Sequence, residues 1–168
     1  MTRRASIMKG EVDHRFSSEV AKQPIEIHLD MCLQCGVCAG SCPIAFAMDY
    51  TPREIMELVK LGLRDRALMC KAIWLCSGCY ACSDRCPENV NPAEIINSIR
   101  SIAYKSKIDV PKMFIKIAEN LLSYGWIYEV DEFTNEERSD LGLPKLKPPN
   151  LEALRKMLEE HLFKEGQK

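Results

Sequence analysis

Apolar positions along this chain repeat with a helical period far more often than with a strand period. Ile55, Leu58, Val59 and Gly62 mark one face of a helix that begins near residue 51. Ile95, Ile99, Ile102 and Ala103 mark one face of another that begins near 91, with Ile96 beside them. Between the two, residues 66–75 read as a further helix. Residues 111–124 read as a fourth, with Phe114, Ile117, Leu121 and Tyr124 in register. The run 127–150 is acidic and then Pro-rich, ending LGLPKLKPPN, which predicts an extended connector. Asn150 is placed to cap a last helix whose stripe is Leu151, Leu154, Leu158 and Leu162. Only Ile25, Glu26, Ile27 and His28 alternate in the manner of a strand. The predicted fold class is all-α.

The two strongest helices have matching starts. Thr51-Pro52-Arg53-Glu54-Ile55 is echoed by Asn91-Pro92-Ala93-Glu94-Ile95. Thr51 and Asn91 suit the N-cap, the prolines suit the first helical position, and Glu54 and Glu94 fall where a capping box takes a carboxylate. A Cys-rich segment precedes each: CLQCGVCAGSCP before the first and CSGCYACSDRCP before the second. The unit is a Cys loop followed by a capped helix, present twice. Gly36 and Gly78 read as occupying similar places in the two loops, allowing backbone angles or a close approach that a side chain would block.

Composition is ordinary apart from the cysteines. Hydrophobic residues make up 46% and charged residues 28% of the 168, a globular balance. Lys+Arg at 23 against Asp+Glu at 24 leaves a formal charge of −1, with no clustered basic face for nucleic acid. The 9 cysteines are the anomaly. Their odd number and regular spacing argue against a disulfide framework. Thr2-Arg3-Arg4 faintly suggests an export signal, but the following KGEVDHRFSSEVAKQ has no apolar segment. The longest apolar runs, KAIWLC and MFIKIAENLL, fall short of the roughly 20 residues of a membrane span. A reducing, cytoplasmic setting is expected, where thiols bind metal rather than each other.

Cys-x-x-Cys-x-x-Cys-x-x-x-Cys-Pro is the spacing of bacterial-type ferredoxin cluster sites. Three thiolates on a tight loop converge on one cluster, and the fourth, followed by Pro, turns away. In two-cluster proteins that fourth Cys serves the other cluster. The spacing therefore assigns Cys32, Cys35, Cys38 and Cys86 to one 4Fe-4S cluster, and Cys76, Cys79, Cys82 and Cys42 to a second. Paired Cys-x-x-Cys units also bind zinc, but structural zinc takes two close pairs and leaves no triplet-plus-one pattern. Cys70 lies outside both motifs and reads either as a small buried hydrophobe or as a residue shielding a cluster. Arg85, beside Cys86, reads either as an offset to cluster charge or as a solvated side chain. The residues between the ligands differ, so the two potentials should differ. His14, His28 and His161 show no ligand spacing. No dinucleotide fingerprint, phosphate loop or nucleophile with a base partner is visible, so no catalytic residue is assigned.

CLQCGVCAGSCP and WLCSGCYACSDRCP, with the helical stretch between them, resemble the C subunit of heterodisulfide reductase. The resemblance covers residues 28–105. It implies the α-helical ferredoxin fold, shared with the iron–sulfur subunits of succinate dehydrogenase and fumarate reductase. It implies an oxidoreductase complex, a hetero-oligomer, in which this chain relays electrons and has no catalytic site of its own. The implied partners are an A-like flavoprotein that also bears clusters and a B-like protein whose Cys-Cys-Gly modules reduce a disulfide. In methanogens that disulfide joins coenzyme M and coenzyme B. This chain contains no Cys-Cys-Gly triplet.

Other readings stay open. Related complexes use similar C subunits in sulfur oxidation or sulfate reduction. A free-standing ferredoxin-like carrier is a second, although such a carrier needs no long extension after its clusters. The iron–sulfur half of a quinone-linked enzyme is a third. That version brings an N-terminal domain with its own Cys set, and no Cys precedes Cys32 here. The expected organisation is a solvated arm over 1–24, a helical ferredoxin domain over 25–105, and a helical extension over 106–168. The last helix is marginal alone. Its stripe must either dock on a neighbouring protein or fold back on the Phe114-Ile117-Leu121 face.

Overall fold

The computed structural model describes residues 12–22, 26–147 and 149–158. Among these residues the chain forms ten α-helices and no strand. The chain divides into two compact units, with the boundary between Asp109 and Val110.

The first unit is built on two helices, α3 (Pro52–Lys60) and α7 (Pro92–Lys105), the pair the periodicity predicts. Ile55, Met56 and Val59 of α3 and Ile95, Ile96 and Ile99 of α7 are buried in one core. The α3 start follows the expected chemistry. Thr51 is extended, and the Glu54 carboxylate accepts from its backbone N–H at 2.8 Å and from its hydroxyl at 2.8 Å. The α7 start does not. Asn91 adopts a left-handed conformation, φ 60° and ψ 58°, and its side chain caps nothing. The Ser83 hydroxyl, from the second Cys loop, accepts the Ala93 N–H at 3.1 Å instead. Glu94 is engaged elsewhere, by the Tyr80 hydroxyl.

The helix expected over 66–75 is two helices, α4 (Arg64–Met69) and α5 (Ala72–Leu75). Cys70 between them is extended, φ −74° and ψ 138°. The break has a remote cause. The Asp49 carboxylate accepts the N–H groups of Lys71 at 2.9 Å and Ala72 at 2.8 Å. A residue in the segment after the first Cys motif thus starts a new helix ahead of the second. Gly62 is not on the α3 face. It sits past the helix end at φ +68°, where a Cβ would lie 2.6 Å from the Asp13 carbonyl oxygen.

That close approach belongs to the segment expected to be a solvated arm. Residues 16–20 form α1 (Phe16–Val20), and Phe16 and Val20 are fully buried. Asp13 N–H donates to the Gly62 carbonyl at 2.9 Å, and the Ser98 hydroxyl donates to the Val20 carbonyl at 2.9 Å. Arg64 lies over the Phe16 ring, 5.3 Å from its centre, and pairs with Glu19 and Asp13. Two apolar residues four apart were too short a pattern to announce a helix. Residues 26–28 pair with no strand, and Ile27 packs on the core.

In the second unit, α8 (Lys112–Tyr124) matches expectation. The expected connector holds a helix, α9 (Glu132–Asp140), started by the Asp131 carboxylate accepting the Thr134 N–H at 2.7 Å. The Pro-rich run lies back on it. Leu146 N–H donates to Asn135 Oδ1 at 2.8 Å, and Arg138 Nε donates to the Pro144 carbonyl at 3.1 Å. The last helix, α10 (Leu151–Leu158), is capped by Asn150 as expected, with Ala153 N–H donating to Oδ1 at 3.1 Å. It packs on α8, where Arg155 Nε reaches the Leu122 carbonyl at 3.2 Å. This is the folded-back arrangement. Leu162 lies outside the described residues. Among the described residues no helix is long and apolar enough to cross a membrane.

Because Phe16 fills the core, Phe16→Ala should cost about 3–5 kcal/mol, the usual range for a buried aromatic truncation. The measurement is the denaturant midpoint for loss of helical signal. A solvated arm predicts no shift.

Candidate metal centres

The two Cys loops share a backbone design. In each, the second and the fourth residue after the first Cys are left-handed: Gln34 (φ 56°) and Gly36 (φ 85°) in one, Gly78 (φ 66°) and Tyr80 (φ 60°) in the other. Gly36 and Gly78 are therefore not equivalent, contrary to the sequence reading. Each loop meets one left-handed position with Gly and the other with a side chain. Each loop then enters a single helical turn, α2 (Val37–Gly40) or α6 (Ala81–Asp84), and these turns pack on each other.

That packing sorts the cysteines. Cys32, Cys35, Cys38 and Cys86 line one cavity. Cys42, Cys76, Cys79 and Cys82 line another. Each loop sends its fourth Cys to the other loop's cavity. Among the described residues no three His, Cys, Asp or Glu side chains meet closely enough for a single metal ion. The thiols stand around a space instead, and four sulfurs per space is the donor set of an iron–sulfur cluster. Cys35 and Cys79 are exposed and Cys82 is buried. Burial pushes the Cys38 thiol up, with Cys32, Cys35 and Cys86 adding to the effect. Burial pushes Cys82 up to about 11. Thiols held this way keep their protons at neutral pH, so a metal ligand set must form with proton release.

Several supporting groups were not anticipated. Lys60 Nζ donates to the Cys32 carbonyl at 3.0 Å. Arg100 donates to the Cys76 carbonyl at 2.8 Å and to the Ile73 carbonyl at 2.7 and 2.9 Å. Lys60 and Arg100 are the ninth residues of α3 and α7, so each repeat ties its first Cys with a cation from its own helix. Extending the match between the two helix starts would have paired them. Gln34 Nε2 lies 3.5 Å from the Cys32 sulfur, and Val90 N–H 3.4 Å from the Cys86 sulfur. Tyr80 donates to the nearly buried Glu94 carboxylate, which pushes the phenol pKa up, and accepts from Asn97 at 3.4 Å.

Arg85 is exposed and lines neither cavity; Arg53 lines the first, together with Glu88. His28 pairs with Glu26 at 3.4 Å, and neither it nor His14 lines a cavity. His161 lies outside the described residues. Cys70 belongs to neither set. It is 2% exposed, and its thiol donates to the Ala67 carbonyl at 3.2 Å.

An all-helical chain with two looped Cys quartets is an α-helical ferredoxin. Residues 28–90 match the family model of the 4Fe-4S dicluster domain, so 4Fe-4S clusters are its cofactors. The chain is 32% identical to the C subunit of H(2):CoB-CoM heterodisulfide,ferredoxin reductase of Methanothermobacter thermautotrophicus, over 92% of this chain and 82% of that one. It is 36% identical to the second C-type iron-sulfur subunit of CoB–CoM heterodisulfide reductase of Methanocaldococcus jannaschii, over 95% and 91%. It is 31% identical to a protein of Archaeoglobus profundus named as like the C subunit of heterodisulfide reductase, over 89% and 78%. The chain belongs to the family of heterodisulfide reductase C subunits.

Burial pushes the Cys70 thiol up to about 11 from 9.0, so the fold favours its neutral form. The stability this contributes is complete below pH 9 and is lost as pH rises towards 11. Cys70→Ala should keep both clusters and cost about 1 kcal/mol or less at neutral pH. It should also flatten the loss of stability between pH 9 and 11, read from unfolding midpoints across that range. Loss of iron in this variant would make Cys70 a ligand.

Proposed function

We propose that this chain is the electron-relay subunit of a heterodisulfide reductase-type complex and holds two 4Fe-4S clusters. Cys32, Cys35, Cys38 and Cys86 hold one, and Cys42, Cys76, Cys79 and Cys82 the other. The observation that carries the reading is the crossed pair of four-thiol cavities, in a chain whose relatives are named as C subunits. When bound, such clusters take up and release single electrons.

The chain's own residues do the holding and shielding. Met56 and Val90 line the first cavity and Met48 and Ile96 the second, giving each an apolar wall that excludes water. Lys60 and Arg100 fix the loop carbonyls. The packing of α2 on α6 keeps the two cavities adjacent. No residue here undergoes covalent chemistry in this scheme, and the sequence has no Cys-Cys-Gly module for disulfide reduction. The electrons pass between an A-like flavoprotein and a B-like Cys-Cys-Gly protein, in the cytoplasm. The disulfide reduced by the complex is that of coenzymes B and M, as in the relatives' names.

The second unit supports a hetero-oligomer. No described residue from Val110 onward is buried, and Ile127, Tyr128, Phe133 and Leu141 are each more than 60% exposed. Packing of α10 on α8 leaves this surface open, and a partner protein covers it.

Anaerobically prepared protein should carry about eight irons and eight acid-labile sulfides per chain, by metal and sulfide analysis. Cys42→Ser should disturb the same electron paramagnetic resonance (EPR) signal as Cys79→Ser, and Cys86→Ser the same signal as Cys35→Ser. If Cys42→Ser and Cys35→Ser lose one signal, the ligand sets are sequential and the crossing is wrong.

Affinity purification from native cells should bring down a flavoprotein and a Cys-Cys-Gly protein. A chain cut after Asp109 should keep its clusters and capture neither. Purification of the full chain alone would leave a free carrier as the reading, and undiminished capture by the cut chain would remove docking from the second unit.

A further inference from the structure

We propose that Gln34 sets the reduction potential of the cluster held by Cys32, Cys35, Cys38 and Cys86, by offering its side-chain amide to the Cys32 sulfur. The inference rests on the two-cluster reading. It comes from a comparison of the two loops at one position.

Gln34 and Gly78 are each the second residue after the first Cys of their loop, and both are left-handed. A Cβ at Gly78 would meet nothing within 4 Å. The second loop thus forms with no side chain at this place, and the backbone there suits Gly best. Gln34 carries two liabilities that Gly would avoid. One is the left-handed backbone of a residue with a Cβ. The other is Oε1, which is buried with no hydrogen-bond partner. Strain and an orphaned acceptor at one residue point to a role outside folding.

The compensation is electrostatic. Nε2 of the same side chain lies 3.5 Å from the Cys32 sulfur. Reduction adds an electron whose charge spreads onto the ligand sulfurs. An N–H donor therefore stabilises the reduced state more than the oxidised state and raises the potential. The formal charges lining this cavity do not decide the matter, because Arg53 and Glu88 oppose each other. The other donors to this quartet, Val90 N–H to Cys86 and Ala39 N–H to Cys38, are backbone and are set by the fold. Gln34 is the adjustable group, a positioning residue that acts through a ligand sulfur.

The test is a redox titration of the full-length protein, followed by EPR, with signals assigned through Cys35→Ser and Cys79→Ser. Gln34→Gly gives the first loop the residue of the second. The midpoint of the first-loop cluster should fall, with the second unmoved and iron content unchanged. Gln34→Leu, which keeps bulk but lacks the donor, should lower the same midpoint. Gly78→Gln should raise the midpoint of the second-loop cluster. Full iron with an unmoved first midpoint in both Gln34 variants would overturn the inference and leave the two-cluster reading standing. Half the iron in the unaltered protein would overturn that reading itself.

Discussion

The fourth cysteine of each loop stands in the cavity of the other loop, and the rest of the first unit follows from that exchange. Neither quartet is complete until Cys42 has crossed to Cys76, Cys79 and Cys82, and Cys86 to Cys32, Cys35 and Cys38. Closing two long loops onto each other costs chain entropy. The paired helices α3 and α7, with their buried isoleucines, offset it and fix where each loop begins and ends. The loops are also held at both ends. Lys60 and Arg100 hold the carbonyl of each first Cys, while α2 and α6 pack together beyond. Asp49 adds a link from the first motif's exit to the helix that leads into the second.

Duplication explains the shared parts, and the departures from it show what each site needs. The left-handed positions and the ninth-residue cations are common to both repeats. The helix starts are not. Gly36 has no side chain to reach a carboxylate, and Glu54 caps its own helix. Tyr80 stands at the corresponding place in the second loop, takes Glu94 for its hydroxyl, and leaves the cap of α7 to Ser83. One substitution between repeats thus rewires a carboxylate and recruits a hydroxyl from the Cys loop. Second-loop geometry and the α7 start are coupled in a way the first repeat does not require.

The Cys motifs were legible because ligand spacing is set by cluster chemistry; Cys32, Cys35, Cys38 and Cys86 line one cavity, and Cys42, Cys76, Cys79 and Cys82 the other. The helices α3, α7, α8 and α10 were legible because burial on one face imposes a period. The features that escaped were decided at a distance or by few residues. Cys70 leaves the helix because Asp49 caps α5 directly after it. Phe16 and Val20 enter the core from a segment whose composition is polar. Residues 132–140 form α9 with hardly an apolar stripe, started by one aspartate and tied to the Pro-rich run through Asn135 and Arg138. The glycines misled for another reason. Two glycines in similar motifs suggested one backbone need, whereas each loop has two such needs and meets only one of them with Gly.

The two units differ in what orders them. The first buries a contiguous core and adds metal ligation, so its structure is set from within. The second has capped helices and side-chain ties, yet among its described residues no side chain is buried. Caps and single hydrogen bonds each contribute only about 1 kcal/mol. Ordering a residue costs a comparable amount, so such ties roughly cancel and leave little net stability. Apolar burial is the remaining source, and α8, α9 and the segment between them hold Met113, Ile127, Tyr128 and Phe133 largely in solvent. A surface of that kind gains most when another protein covers it. On the proposed reading, assembly both orders the second unit and brings the electron partners to the first. A chain without its partners would then keep its sites and lose its place in the relay.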